Sequence, residues 1–381
     1  MVQRTLTVVQ VLPAVEEGGV ERGTLEVANA LVQRGHRSIV ISAGGRLVPH
    51  LTKGGSEHIA WPLGAKSPLT LRYVSKLRRL LRQRQVDVLH ARSRLPAWIA
   101  YLAWRGIKPA LRPHFVTTVH GLYSVGRYSA VMTRGERVIA VSHTVKEYLL
   151  KNYPGLPEQR IQVIPRGVDR RLYPFDYRPN SGWLRGWFAQ YPQLLDAFVV
   201  TLPGRMTRLK GHEDFIELIK RLTAQGLPVW GLVVGGEDRR RKAYAEEIKQ
   251  RARQAGLDNL IFTGHRSDLR EIFAVSNVVL SLSTQPESFG RTVLEALSLG
   301  VPVVGYDHGG VGEILNGLFP EGRVPLGDMD ELAVKVTTFL KQKPTLTQHA
   351  DFTLQRMLDD TLRVYESLAI PADNGVLVTQ P

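Results

Sequence analysis

Two glutamates, Glu287 and Glu295, are separated by seven residues where a predicted strand, Val278–Ser283, leads into a predicted helix. Glu287 is expected in the loop before the helix and Glu295 about two turns inside it. A carboxylate accepts two hydroxyl groups at once, which suits a sugar diol. The amides over Gly290–Thr292 form a helix N-terminus able to hold an anion. The pattern is also typical of an acidic residue that complements a helix dipole, next to one solvated glutamate.

Basic residues follow another predicted strand, Ala197–Leu202. Arg205 and Lys210 lie in the loop Gly204–Gly211, ahead of a helix that starts near Glu213, and both side chains are placed to contact a diphosphate. Arginine supplies a planar fork of donors and lysine a point charge. A solvated basic loop would give the same pattern.

Two further candidates lie in the first half of the chain. Gly18-Gly19 separates the first predicted strand, Leu6–Leu12, from the first helix, where backbone amides can approach a phosphate. The segment is neither the dinucleotide fingerprint nor a phosphate loop ending in Gly-Lys-Ser/Thr. His120 follows the predicted strand Phe115–Val119, a position from which it could donate a hydrogen bond to a sugar hydroxyl. A flexible turn and a structural histidine are the alternatives.

Short β-branched runs alternate with amphipathic segments along most of the chain, with one interruption from about Tyr173 to Leu195. Two such series of similar size predict an α/β protein with two Rossmann-like, doubly wound parallel sheets and a cleft between them. We expect a first domain at 1–175 and a second at 190–354. The helix at 355–370 is expected to pack back on the first domain, and residues 371–381 to form a loose tail.

These segments together resemble the retaining glycosyltransferases of family 4, which have the GT-B fold, and the resemblance runs from about Val8 to about Ala369. The matching residues are Gly-Gly-Val-Glu at 18–21, Arg205 with Lys210-Gly211, Glu287 with Glu295, Ala-Leu-Ser-Leu-Gly-Val-Pro-Val-Val at 296–304, and Gly309-Gly310 followed by Glu313. Two positions depart from the family pattern. Arg166 stands where Asn is usual, and Val234-Gly-Gly-Glu237 replaces Val-Gly-Asp-Gly.

The resemblance implies a nucleotide-sugar donor, for which a UDP-sugar is our first choice, and no metal or other cofactor. Glu287 would bind hydroxyls of the donor sugar and Glu295 the ribose diol, while Arg205 and Lys210 neutralise the diphosphate leaving group. Gly19 would donate its amide to the diphosphate or frame the acceptor. The implied catalytic residues are Glu287, His120, Arg205 and Lys210. The implied donor-binding residues are Gly19, Arg205, Lys210, Ser288, Phe289, Gly290, Thr292 and Glu295.

The formal net charge of +15 is unevenly distributed. Residues 1–170 hold 26 Lys and Arg against 10 Asp and Glu, whereas residues 171–381 hold 24 against 25.

Eleven cations fall between Arg72 and Arg112, against the single acid Asp87. Leucines at helical spacing from Leu71 onward predict an amphipathic basic helix, which we expect to bind an anionic membrane and present a lipid-linked or phosphorylated glycan. A solvated helix packed through its leucines is the alternative. The predicted face comprises Arg72, Lys76, Arg79, Arg82, Arg84, Trp98 and Trp104.

Composition excludes several classes of protein. The absence of cysteine removes disulfide scaffolds, thiolate zinc sites, iron–sulfur clusters and cysteine nucleophiles. No run approaches the ~18 apolar residues that span a bilayer, and Leu6–Val15 is interpreted as a buried strand rather than a signal peptide. Asp328-Met329-Asp330 has the form of a metal-binding D-x-D motif, but Asp328 with Glu331 has the spacing of a helix cap, which we favour.

The sequence therefore predicts a cytoplasmic retaining glycosyltransferase, peripherally associated with the inner membrane. Its expected role is the assembly of bacterial envelope polysaccharide or lipopolysaccharide core. A nucleotide-sugar epimerase of the same fold remains open and would make a nucleotide-sugar isomer without any acceptor. A nucleic-acid-binding protein is suggested only by the basic charge, and no helix-turn-helix, zinc-finger or RNP motif accompanies that charge. We expect no nucleic-acid partner.

Overall fold

The computed structural model describes residues 4–16, 18–236 and 242–369. Glu17, Glu237 and the predicted tail at 371–381 lie outside these ranges. The chain forms two compact units. One combines the residues up to Pro165 with those from Gln355 onward, and the other is Arg166–Leu354.

A parallel sheet covered by helices forms the first unit. Its strands are β1 (Thr7–Val11), β2 (Arg37–Ser42), β3 (Glu57–Ala60), β4 (Val88–Ala91), β5 (His114–Val119), β6 (Arg137–Ala140) and β7 (Ile161–Val163). Its helices before Pro165 are α1 (Gly19–Gln33), α2 (Val48–Lys53), α3 (Arg72–Gln83), α4 (Arg94–Arg105) and α5 (His143–Asn152). Over the described residues the seven strands run parallel in the order β3-β2-β1-β4-β5-β6-β7. β1 is buried at every position, as expected for a central strand with helices on both faces.

The second unit repeats this architecture. Its strands are β8 (Phe198–Pro203), β9 (Val229–Val234), β10 (Leu260–Gly264), β11 (Val278–Ser281), β12 (Val303–Tyr306) and β13 (Arg323–Val324). Its helices are α6 (Ser181–Gln190), α7 (His212–Ala224), α8 (Lys242–Gln254), α9 (Leu269–Ala274), α10 (Arg291–Ser298), α11 (Gly309–Leu318) and α12 (Met329–Lys341). The strands described are parallel, in the order β10-β9-β8-β11-β12-β13. The strand order reverses between β8 and β11, and ligands of such sheets bind where the loops after those two strands diverge.

The segment from about Tyr173 to Leu195, which interrupts the sequence periodicity, belongs to the second unit. Trp187 is buried in a core cluster that also contains Leu194, and the Trp183 indole N–H donates to Asp268 Oδ2 at 2.8 Å. The aromatic residues that break the periodicity are therefore packed side chains of this unit.

The last described helix, α13 (Leu354–Ala369), begins at the final residue of the second unit and otherwise belongs to the first. Its Tyr365 is fully buried, and the Tyr365 hydroxyl lies 2.6 Å from His90 Nδ1. Arg92 is only 3% exposed, bonds the same hydroxyl and donates from Nε to Gln10 Oε1 at 2.7 Å. Arg92, one of the eleven cations counted between Arg72 and Arg112, is therefore buried and adds no charge to the surface.

Candidate active site

The loop after β8 and the loop after β11 are bonded to each other in the second unit. The Thr284 amide donates to the Leu209 carbonyl at 2.9 Å. Gly211 has φ +69°, and a Cβ there would lie 2.1 Å from the Leu282 carbonyl oxygen, so only glycine permits this approach. The two loops therefore bring Lys210 and Glu287, 77 residues apart in sequence, into contact.

Glu287 is held as a charged carboxylate. Its Oε1 lies 2.7 Å from Lys210 Nζ and also accepts a hydrogen bond from the Ser283 hydroxyl. Burial on its own would raise the pKa of Glu287, but the Lys210 ammonium, the Ser283 hydroxyl and the nearby His308 together hold that pKa below its usual value. A carboxylate in this state accepts hydrogen bonds and does not donate a proton, which suits recognition of sugar hydroxyls.

The Gly309-Gly310 pair fixes the backbone of the Glu287 loop. The Gly310 amide donates to the Glu287 carbonyl at 2.8 Å, and a Cβ on Gly310 would lie 2.4 Å from Phe289 Cα. The residue before this pair is His308, whose ring nitrogen Nε2 lies 2.6 Å from the Ser283 carbonyl oxygen. Nε2 therefore carries the proton.

Ser283 and His308 were not among the site residues predicted from the sequence. The position of His308 directly before the glycine pair was the one signal that could have indicated it.

Helix α10 starts at Arg291 and is preceded by Gly290, whose φ of +96° is a conformation that favours glycine. Glu295 is its fifth residue, so the glutamate lies a little over one turn inside the helix and not the two turns predicted. Glu295 is 4% exposed, and its Oε1 accepts from Arg291 Nε at 2.8 Å. The remaining predicted donor-binding residues, Ser288, Phe289 and Thr292, flank this helix start, with Phe289 buried and the other two half-buried.

The other predicted cation, Arg205, is exposed at the start of the loop after β8. Next to Lys210, the His212 ring is almost completely buried, which lowers the pKa of His212 to about 4 and keeps the ring neutral. The second unit thus brings together a paired carboxylate, a lysine, a helix N-terminus and a buried glutamate, with Arg205 in the same loop as the lysine. Such a set can bind a neutral polyol and a diphosphate.

His120 and Gly19 belong to the first unit. His120 directly follows β5, is half-buried, and its backbone N–H lies 3.4 Å from the Tyr123 hydroxyl. Gly19 is the first residue of α1, and a Cβ there would meet no atom within 4 Å. Both lie beyond the carboxyl ends of parallel strands, as predicted from the sequence.

Helix α3 exposes a row of cations. Tyr73 is buried beneath them, with Arg72 Cζ 5.1 Å and Lys76 Nζ 5.5 Å from its ring centroid. Leu71, predicted on the buried face, precedes the helix and is 58% exposed. Arg84 forms an ion pair with Glu57 at 2.9 Å. The exposed cations of the predicted face are Arg72, Lys76, Arg79, Arg82 and Arg84.

The two tryptophans predicted for the same face are half-buried. The Trp98 indole N–H donates to the Tyr128 carbonyl at 2.9 Å, and the Trp104 indole N–H to the Pro113 carbonyl at 2.8 Å. The Trp104 ring also stacks on Phe115, at a centroid distance of 5.8 Å. These contacts favour a packing role over the membrane contact predicted for them.

The D-x-D motif forms a helix cap, as predicted. The Asp328 carboxylate accepts from the Glu331 amide at 2.9 Å at the start of α12, and Asp330 pairs with Arg221 at 2.6 Å. Among the described residues no group of three or more His, Cys, Asp or Glu is arranged to hold a metal ion. No helix in the described ranges is long and apolar enough to cross a membrane.

Replacing Asp328 by alanine is expected to lower the free energy of unfolding by about 1 kcal/mol, because the α12 amide loses its cap. Transferase activity should stay within about twofold of wild type, with and without EDTA. Chemical denaturation and initial rates measure the two quantities. A large loss of activity that added Mg²⁺ or Mn²⁺ restored would contradict the cap and support a metal site.

Two family comparisons cover most of the chain. Residues 17–172 match the family described as Glycosyltransferase Family 4, and residues 187–353 match the one described as Glycosyl transferases group 1. Together with the two parallel α/β units, these matches make the chain a glycosyltransferase of the GT-B fold. The chain is a family 4-like glycosyltransferase, and the family 4 model itself matches residues 17–172.

Individual relatives agree with this classification. A glycosyltransferase from Rickettsia africae superposes with a TM-score of 0.85 at 29% identity, covering 97% of this chain and 100% of that one. HepE from Anabaena, solved with UDP and glucose, has a TM-score of 0.79 at 21% identity over 95% of this chain and 100% of that one. One subunit of the human phosphatidylinositol N-acetylglucosaminyltransferase is 26% identical over 321 residues, which span 78% of this chain but only 61% of the relative.

Proposed function

We propose that this protein transfers a sugar, with retention of anomeric configuration, from a nucleotide-sugar donor to a glycan or lipid-linked acceptor. The expected setting is bacterial envelope polysaccharide assembly, with lipopolysaccharide core as the first candidate. The observation that carries the proposal is the Lys210–Glu287 pair, held beside the start of α10 with Glu295 one turn further on.

Each part of that arrangement has a counterpart in a nucleotide-sugar. The Glu287 carboxylate would accept hydrogen bonds from sugar hydroxyls, and Glu295 from the ribose diol. Lys210, Arg205 and the α10 amides would stabilise the diphosphate as it leaves, a charge-stabilising role that needs no metal ion. A UDP-sugar is our first choice of donor, supported by the ligands of HepE. His120 and Gly19 keep their proposed roles at the donor sugar and at the diphosphate or acceptor.

Calorimetry against UDP, GDP and ADP tests the donor class. We expect one of the three to bind with a dissociation constant well below 1 mM, and Glu295→Gln to weaken that binding. Incubation of the matching nucleotide-sugar without acceptor should leave it unchanged apart from slow hydrolysis. Binding of none of the three nucleotides would overturn the proposal, as would conversion of the sugar to an isomer.

We further propose that the exposed cations of α3 bind an anionic membrane surface, where the acceptor is presented. A lipid acceptor is supported by the phosphatidylinositol in the name of the human relative. Arg72, Lys76 and Arg79 recur at intervals of four and three residues and are all exposed, so they share one stripe of the helix. Clusters of this kind attract acidic lipid headgroups.

The triple variant Arg72→Glu, Lys76→Glu, Arg79→Glu is expected to lose at least a hundredfold in affinity for vesicles that contain anionic lipid. Each basic residue near such a surface is worth about 1 kcal/mol, so three contribute about 3 kcal/mol. Sedimentation at low salt measures the affinity. The control variant replaces three exposed cations elsewhere in the first unit by glutamate, namely Lys53, Lys151 and Arg160. Equal losses in both triple variants, or equal wild-type binding to neutral vesicles, would contradict the proposal.

A further inference from the structure

We propose that Arg291 is a positioning residue for the nucleotide half of the donor: it orients Glu295 toward the ribose diol. The inference rests on the proposed function, because it assigns a ligand to Glu295. The juxtaposition that carries it is the bond from Arg291 Nε to Glu295 Oε1, at 2.8 Å, at the start of α10.

The position of Arg291 is unfavourable for the helix itself. Arg291 is the first residue of α10, whose first turn contains no acidic residue. The N-terminus of a helix carries partial positive charge, so a cation there opposes the helix dipole. The pair also has the weaker orientation, since an i,i+4 ion pair is stronger when the acidic residue comes first. Helix stability therefore does not explain why arginine stands at this position.

Burial of Glu295 supplies the explanation. The Glu295 side chain is only 6% exposed, against 25% for Arg291. Burying a carboxylate charge this deeply is costly unless a cation or strong donors pair with it. A ribose diol is neutral, so it can donate hydrogen bonds to Glu295 but cannot balance the charge. Arg291 provides that balance through its bond to Oε1.

The two glutamates of the site have separate cations. Lys210 pairs with Glu287 and Arg291 with Glu295. Loss of Arg291 should therefore weaken the contact to the ribose while leaving the contact to the transferred sugar intact. This separation distinguishes a positioning role from a general loss of structure, which would affect both halves of the donor.

The test compares binding of a nucleoside diphosphate with binding of its 2′-deoxy counterpart. The nucleotide is whichever of UDP, GDP and ADP binds the wild-type protein, and calorimetry gives each dissociation constant. We expect Arg291→Gln to raise the dissociation constant of the ribonucleotide about tenfold and that of the deoxynucleotide less than twofold. In a Glu295→Gln background, Arg291→Gln should cause no further loss for the ribonucleotide.

Arg221→Gln is the matched control, because Arg221 Nε bonds Glu217 Oε1 at 2.9 Å with the same spacing of four residues on α7. It should leave both dissociation constants unchanged. Arg291→Lys keeps a cation beside Glu295, and it is the second test variant if Arg291→Gln does not fold. We expect Arg291→Lys to raise the dissociation constant of the ribonucleotide at least threefold and that of the deoxynucleotide less than twofold.

Two results would overturn the inference while leaving the donor class intact. In one, Arg291→Gln raises the dissociation constants of the ribonucleotide and the deoxynucleotide equally. This result would mean that Arg291 acts on the diphosphate and not through Glu295. In the other, neither substitution of Arg291 changes either dissociation constant. Failure of the wild-type protein to bind any of the three nucleotides is a separate result, which overturns the proposed donor and this inference with it.

Discussion

Replacing Glu287 by glutamine is expected to lower kcat/KM for transfer at least a hundredfold. The amide keeps the shape of the side chain but removes its negative charge. That charge lies on the carboxylate whose Oε1 is 2.7 Å from Lys210 Nζ and accepts a hydrogen bond from the Ser283 hydroxyl. Hydrogen bonds to a charged group contribute about 1.5–3 kcal/mol each, so losing those to the sugar hydroxyls in the transition state should cost about 3 kcal/mol. Initial rates over a range of donor concentrations measure the loss, and kcat should fall more than the donor affinity.

A matched control is Glu217→Gln, since Glu217 also pairs with a basic residue but lies on the exposed face of α7. Its kcat/KM should stay within twofold of wild type, and both variants should give unfolding curves with the same transitions as wild type. Should Glu287→Gln retain activity within tenfold of wild type, a change of about 1.4 kcal/mol, the assignment of Glu287 would be wrong.

Gly310→Ala is expected to reduce transfer about a hundredfold, although Gly310 itself is not among the predicted donor-binding residues. A Cβ on Gly310 would lie 2.4 to 2.6 Å from backbone atoms of Phe289, so the loop that carries Glu287 must move. Displacing a substrate-binding group by about 1 Å costs about a hundredfold in rate. The overpacking itself should lower the free energy of unfolding by about 1–3 kcal/mol. Initial rates and denaturant titration measure the two effects.

The same helix offers a control. Gly317 lies near the end of α11, and a Cβ there would meet nothing within 4 Å. Gly317→Ala should therefore leave activity unchanged and raise stability by up to about 1 kcal/mol, because alanine favours the helix. If both alanine variants behaved alike, the close approach of Gly310 to the Glu287 loop would not be what the activity requires.

The core of each sheet could be predicted from the sequence because buried parallel strands are continuous apolar runs. The predicted strands Leu6–Leu12, Ala197–Leu202 and Val278–Ser283 agree with β1, β8 and β11 to within two residues at each end. β3 was missed because Glu57–Ala60 is an edge strand with a polar, half-exposed sequence. β13 was missed because it has only two residues, too few for any periodicity to show.

The candidate site was only partly visible in the sequence. The resemblance to family 4 made Glu287, Lys210 and Glu295 candidates, while their spacing alone left other interpretations open and indicated none of the residues that hold them. Ser283 and His308 contact the Glu287 loop across turns whose geometry no local pattern encodes. The helix N-terminus predicted at Gly290–Thr292 is confirmed, but Glu295 lies only a little over one turn inside the helix and not two. Charge counting likewise could not separate a buried arginine from exposed ones.

Helix α13 makes the first unit discontinuous in sequence, which has a consequence for biosynthesis. A ribosome releases the N-terminal part of a chain first, and domains commonly fold in that order. Here the phenol that lies against His90 and Arg92 belongs to Tyr365, so it emerges only after the whole of Arg166–Leu354. The half of the protein that is synthesised first must therefore complete its core last. A nascent chain arrested before α13 would have all seven described strands of the first sheet but would lack the helix that supplies Tyr365, so the surface that this helix covers would be open to chaperones and proteases.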